Sequence, residues 1–81
     1  MEPTVHLNIK NKESTLFDGQ VFAISAYNDV GLFDVLPMHE NFISLIKNRI
    51  ILHENGTKKE VKIRQGLLRV KDNKVNIYLG F

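Results

Sequence analysis

At 81 residues the chain has the size of one domain with one small core. It has no cysteine, a formal charge of only +2, and three histidines (His6, His39 and His53) that form no HxH or HxxxH pair; this argues against disulfides, thiolate centres and a histidine-built metal site. No run approaches the ~20 apolar residues of a membrane-spanning helix, and "MEPTVHLNIK" lacks a basic stretch followed by an apolar one, so neither a span nor a secretory leader is expected.

The first element is "VHLNIK", where Val5, Leu7 and Ile9 alternate with His6, Asn8 and Lys10. Alternation with period two predicts a half-buried strand. "FDGQ", Phe17 to Gln20, carries Asp-Gly and reads as a turn. "QVFAISAY" follows and is apolar on both faces, which predicts a strand covered on both sides or covered by a partner. "YND", Tyr27 to Asp29, opens another turn.

"MHENFISLIKNRIIL" is the one segment with a partial helical stripe, through Phe42, Ile43, Leu45, Ile46 and Ile50. Its β-branched isoleucines and the preceding Pro37 weigh against a helix, so Glu40 to Lys47 reads as a turn leading into a short strand. "RIIL" is again apolar on both faces. "ENGT", Glu54 to Thr57, carries Asn-Gly, whose tolerance of positive φ predicts a type I′ hairpin. "KKEVKIR" and "KVNIYL" alternate as strands, with "KDNK" as the turn between the last two. Gly66 interrupts a strand pattern, which points to a bulge or a close backbone approach. Turns at such short intervals predict a single all-β domain over residues 1–81, a two-sheet sandwich or flattened barrel. There is no linker, repeat or low-complexity stretch.

The catalytic readings find no support in the residue pattern. Ser14, Ser25 and Ser44 lie in no G-x-S-x-G elbow, and the five glycines are scattered, so no phosphate loop is apparent. Asp29 and Asp34 could pair as carboxylates, but two acids in a turn are ordinarily solvated. No catalytic residue, cofactor or metal is expected. A small β-barrel can bind single-stranded nucleic acid when exposed aromatics sit beside basic groups. Here Phe22 and Phe42 lie among aliphatic residues, and the cations from Lys47 to Lys74 are interleaved with Glu54, Glu60 and Asp72. A stand-alone barrel that binds a single strand or a protein partner stays as the alternative.

Three stretches carry a family resemblance. They are "LFDGQV" (Leu16 to Val21), "GLFDVLPMHENFISLIK" (Gly31 to Lys47) and "QGLLRVKDNKV" (Gln65 to Val75). The second follows a pattern G-E-x-G-[IV]-L-P-G-H-x-P-x-x-[ST]-x-[IL]-K, the third a pattern G-G-[FI]-L-E-V-x-x-N-x-V. With their spacing they resemble the epsilon subunit of F-type ATP synthases, called delta in mitochondria. The resemblance implies a β-sandwich of about ten short strands, an all-β layer architecture. It implies a non-catalytic rotor subunit of the central stalk that couples proton translocation to ATP synthesis. Its partners would be the gamma subunit and the c-ring, and it would sit peripherally at the cytoplasmic face of the bacterial plasma membrane.

By the same resemblance the loop Asn28, Asp29, Val30, Gly31 and Leu32 would face the c-ring, while Asn11, His39 and Ser44 would face gamma. Leu32 stands where the family has an acid, so Asp29 or Asp34 would have to replace it. Asp34 and Met38 stand where the family has glycines; a positive φ at either would force the turn to be rebuilt, and Asp accepts it better than Met. The sequence ends at Phe81. The family's C-terminal helical hairpin has no counterpart before that point, so restraint of ATP hydrolysis by such a hairpin is not expected of this chain. Phe22, Ile24 and Ile51 are candidates for an apolar gamma-facing patch. His39, following the fixed φ of Pro37, would either satisfy turn carbonyls or contact a partner.

Overall fold

The computed structural model describes residues 3–80. All regular elements in that range are strands: β1 (Val5–Lys10), β2 (Thr15–Val21), β3 (Ala23–Tyr27), β4 (Leu32–Val35), β5 (Phe42–Glu54), β6 (Thr57–Lys71) and β7 (Lys74–Leu79). They form one hydrogen-bonded sheet in the order β2-β1-β7-β6-β5-β3-β4. Neighbours are antiparallel except β1 and β7, the first and last strands, which run parallel side by side.

The sheet folds over because β5 and β6 serve both layers. Their Phe42–Lys47 and Gly66–Lys71 halves pair with each other, and the latter pairs with β7. Their other halves pair again, and β5 there meets β3. The change of layer falls where the register slips. Lys47 faces Gln65 and Arg49 faces Lys62, so Asn48 alone opposes Ile63 and Arg64. This extra residue bends the ladder, and Asn48 takes φ +73° to follow it. One layer is therefore β2-β1-β7-β6-β5 and the other β6-β5-β3-β4.

Alternation places one side of each strand inward. Val5, Leu7 and Ile9 of β1, Ile24 and Ala26 of β3, Ile50 and Leu52 of β5, Leu68 and Val70 of β6, and Val75 and Ile77 of β7 are buried in a single cluster. Each fully buried aliphatic side chain contributes about 1.5–3 kcal/mol relative to exposure, which is what holds the two layers face to face.

Four expectations are corrected. About ten short strands become seven, because β5 with 13 residues and β6 with 15 each run through both layers unbroken. "FDGQ" is no turn: Asp18 and Gly19 pair with Asn8 and Leu7 in the ladder, and the chain reverses instead at Asn11 to Ser14. Pairing along the whole of β1 outweighs the local preference of Asp-Gly. The segment after Pro37 becomes a long strand, not a short one. Asn55 of "ENGT" lacks positive φ, and only Gly56 there is left-handed, at +76°. The fully left-handed pair of a type I′ turn is found at Asp72 (φ +53°) and Asn73 (φ +63°) instead.

Gly66 makes the close approach. A Cβ there would lie 2.8 Å from Leu79 Cδ2 and 3.0 Å from the Tyr78 carbonyl oxygen. The bulge sits just ahead of it, at Ile63 and Arg64.

Candidate docking surface

The loop between β3 and β4 is ordered by one side chain. Asn28 Oδ1 accepts the amides of Val30 (2.9 Å) and Gly31 (3.1 Å), while the backbones of Asn28 and Gly31 bond in both directions. Asparagine supplies this Asx turn because its short carboxamide reaches the amides two and three residues on. Gly31 takes φ +138° in open space, a conformation L side chains rarely adopt. The apex is thus held rigid, and it presents Val30 (96% exposed) and Leu32 (58% exposed) to solvent. Asp29 lies beside them and pairs with Lys47 at 3.0 Å across open solvent. Asp34 points elsewhere, toward Ser25. Of the two acids, Asp29 is the one this loop presents.

Ser44 is tied to the same loop, since Asn28 Nδ2 donates to its Oγ at 3.3 Å. Ser44 Oγ in turn donates to the Leu45 carbonyl at 3.0 Å. Two residues assigned by resemblance to different partners therefore share one hydrogen-bonded edge.

His39 lies elsewhere, in the β4–β5 turn. Its backbone amide donates to the Leu36 carbonyl at 3.1 Å, and Nδ1 donates to the Glu40 carbonyl at 2.7 Å. Its ring meets Phe42 edge-on at 5.8 Å, and Phe42 meets Phe33 at 5.5 Å. The histidine thus satisfies a turn carbonyl with one nitrogen while its half-exposed ring packs against Phe42. Met38, one residue before, sits at φ +65°, so the turn keeps the left-handed geometry without a glycine; Asp34, by contrast, lies in regular strand. The Met38 amide is anchored by Asn73 Oδ1 at 2.8 Å. Asn41 Oδ1 accepts the Asp72 amide at 3.1 Å, so the β4–β5 and β6–β7 turns are laced together.

Asn11 occupies the opposite end of β1, where its Oδ1 accepts the Glu13 and Ser14 amides at 2.9 and 2.8 Å. Asn11, His39 and Ser44 do not form one cluster; they are spread along the length of the β1-containing layer. Of the apolar candidates, Ile24 is fully buried between the layers and unavailable to a partner. Phe22 and Ile51 are half-buried and remain accessible.

The strand pairing also makes a contact that sequence reasoning passed over. Ser25, 5% exposed, bonds to Asp34 Oδ1 at 2.6 Å and to His53 Nε2 at 2.8 Å. A hydroxyl has one hydrogen, and a carboxylate accepts only, so Ser25 donates to Asp34. His53 Nε2 is then the donor to Ser25. A base must accept the serine proton, and this histidine gives one instead. The three residues meet through the registers Ser25↔Asp34 and Ala23↔His53, which no local motif records.

The same outer face carries Arg49, whose guanidinium bonds to Tyr27 Oη at 3.1 Å and lies over its ring at 5.1 Å. Tyr27 first, then Glu60, raise its pKa above the ordinary arginine value. Phe17, Phe33 and Phe42 pack against the core. Both tyrosine rings have a cation over them, Lys10 over Tyr78 and Arg49 over Tyr27. The aromatic platform that a single strand stacks on is not assembled among the described residues, and nothing here favours the nucleic-acid alternative. Among the described residues no group of three His, Cys, Asp or Glu is placed to hold a metal, and no helix is long and apolar enough to cross a membrane.

These features match known proteins. Residues 4–79 fit the family described as the ATP synthase Delta/Epsilon chain, beta-sandwich domain. The chain is 34% identical over 74 residues to the ATP synthase epsilon chain of Campylobacter fetus, covering 89% of this chain and 57% of that one. It is 33% identical over 72 residues to that of Nitratiruptor, covering 86% and 56%. It therefore spans little more than half the length of these curated relatives. In a structure of the Euglena gracilis mitochondrial ATP synthase, a chain at 21% identity superposes with a TM-score of 0.86, over 94% of this chain and 50% of that one. A chain of the Tetrahymena thermophila enzyme's central stalk and c-ring does so at 0.81, with 10% identity, over 94% and 63%. At such identities the superpositions establish the fold, and the family match establishes the lineage: the chain belongs to the ATP synthase delta/epsilon family, and residues 4–79 are its β-sandwich domain.

Proposed function

We propose that this chain is the sandwich part of a rotor subunit of an F-type ATP synthase, docked to the gamma subunit and to the c-ring, and that it couples proton translocation to ATP synthesis without chemistry of its own. It would be held peripherally at the cytoplasmic face of a bacterial plasma membrane through the complex. The observation that carries this is the β3–β4 loop. A turn pinned by Asn28 holds Val30 and Leu32 in solvent beside Asp29. Apolar side chains kept exposed on a rigid support serve binding, because little ordering entropy is left to lose. The epsilon chains it resembles, and the central-stalk and c-ring assembly of Tetrahymena, supply the partners.

In this reading Val30, Gly31 and Leu32 meet the ring through apolar and backbone contact, with Asp29 as the single acid. His39 and Ser44 face gamma, with Asn11 at the far end of the same layer. The test is reconstitution. Complex stripped of this subunit is rebuilt in vesicles with the wild-type chain, Val30→Asp or His39→Ala. Wild type restores ATP-driven proton pumping; Val30→Asp weakens recovery of the ring, and His39→Ala weakens recovery of gamma. Normal pumping by the stripped complex, or rebuilding indifferent to both changes, would end the reading.

A further inference from the structure

Independently of that docking, we propose that Asn55, at the tip of the β5–β6 hairpin, is a site of spontaneous self-modification. Its carboxamide is exchanged for a carboxylate through a cyclic imide closed by the backbone nitrogen of Gly56.

The reaction needs only water. The Gly56 amide gives up its proton, and its nitrogen attacks Asn55 Cγ. The new C–N bond closes the ring, the Cγ–Nδ2 bond breaks, and the amino group leaves as ammonia with that proton. Water then opens the imide at either carbonyl. One opening gives aspartate. The other gives isoaspartate, whose main chain runs through the former side chain and is longer by one methylene. One water is consumed, one ammonia is released, and nothing is oxidised or reduced.

The fold leaves this path open on both sides of the bond that forms. Gly56 is left-handed at φ +76°, and a Cβ built on it would meet nothing within 4 Å. A side chain at this φ would be strained, so the turn itself demands the residue that leaves the nitrogen unshielded. The Gly56 amide donates to no acceptor among the described residues, since the hairpin closes through Glu54 and Thr57. The Asn55 carboxamide is exposed and is likewise unbonded. Asn11, Asn28, Asn41 and Asn73, by contrast, use theirs to hold backbone amides.

The remaining candidates are restrained. Every other asparagine is followed by a residue with a side chain, branched at Cβ after Asn8 and Asn76. Asn8, Asn48 and Asn76 also lie within strands. Asp18-Gly19 could close the same ring, but it is held extended in the ladder with β1, and His6 holds its carboxylate at 2.6 Å. Charge around the tip assists Asn55. Lys58 lines the same shallow hollow as Gly56, and the Glu54 carboxylate is offset by Lys59 at 3.7 Å. A cation nearby favours the amide anion that attacks.

The product alters the hairpin in two ways. The added carboxylate lowers the formal charge of +2 by one. In isoaspartate the extra methylene lengthens the turn and disturbs the Glu54↔Thr57 rung that closes β5 on β6. Water does not restore the carboxamide, so the mark accumulates with the age of the chain.

The experiment incubates the whole folded chain in buffers of rising pH and maps its peptides by mass spectrometry. The mass registers the exchange of –NH2 for –OH, and elution separates aspartate from isoaspartate. A parallel series in urea gives the rates of the unfolded chain. In the folded chain Asn55 should convert at least about 10-fold faster than any other asparagine, a barrier difference of ~1.4 kcal/mol. Its rate should rise with pH and stay within about 10-fold of the rate in urea. Asn55→Gln should remove the fast product, because its ring would be one atom larger. Circular dichroism confirms that this variant folds; if it does not, the site mapping in wild type decides. An Asn55 that stays intact while the unfolded chain converts overturns the proposal. So does conversion led by another asparagine, isomerisation led by Asp18, a rate indifferent to pH, or a fast product that survives Asn55→Gln. No other subunit is present, so this outcome is separate from that of the reconstitution.

Discussion

Asn73, in the β6–β7 turn, accepts the Met38 amide at 2.8 Å while its own amide donates to the Thr4 carbonyl at 3.0 Å. One side chain thereby joins the turn that carries His39, the chain start and the last hairpin. It also adopts φ +63°. Replacing it with alanine removes two hydrogen bonds and puts an ordinary residue in left-handed geometry, an expected loss of about 2–3 kcal/mol. Asn73→Gly keeps the backbone but not the bonds and should cost less. Urea unfolding of the two variants separates the contributions.

Met38 is left-handed and 78% exposed, so its side chain has little packing to lose. Met38→Gly removes strain of about 1 kcal/mol and gives back part of it through the freer unfolded chain, for a small net rise in the urea midpoint. Met38→Val should lower the midpoint, because a branched Cβ fits this φ worst.

Gly66→Ala should destabilise by about 1–3 kcal/mol, since the added methyl meets Leu79 and the backbone of Tyr78 together. Shortening Leu79 to alanine in the same chain should recover only part of the loss. The Leu79 side chain can be trimmed, but the Tyr78 carbonyl is fixed in the β6–β7 ladder. A double-mutant cycle in urea reads this directly.

Ser25→Ala leaves Asp34 and His53 without their shared hydroxyl and should cost about 1–2 kcal/mol. Neither wild type nor variant should hydrolyse an activated ester, because the serine proton already goes to Asp34. Measured turnover that vanishes with Ser25 would overturn this account of the contact.

Asp29→Asn should leave the unfolding curve within about 0.5 kcal/mol of wild type, as its pair with Lys47 is solvent-exposed. The same change should reduce recovery of the ring in reconstitution. Asp34→Ala should do the reverse, with lower stability and unchanged recovery, because its carboxylate accepts from a buried hydroxyl. The pair of results identifies which acid the loop uses.

The sequence by itself determined the class of structure and the identity of most strands. Val5, Leu7 and Ile9, and later Val75 and Ile77, alternate with polar residues, and a period of two admits only a sheet with one dry side. The turn at Tyr27 to Asp29 and the one at Lys71 to Lys74 were equally local, since side-chain carboxamides and tolerance of positive φ act within four residues. The Leu-Pro-x-His element carried the family resemblance for the same reason.

Tertiary structure alone decided the rest. Asp18-Gly19 carries a turn signal but lies in a strand, because the ladder with β1 supplies more hydrogen bonds than a turn there would. Whether β5 and β6 were two strands or four depended on a one-residue slip opposite Asn48, which is a relation between strands. Ser25, Asp34 and His53 met through register. Local periodicity fixes which side of a strand is dry. Which residues become neighbours across strands is set by how the strands pair, and pairing energy is summed over the whole sheet.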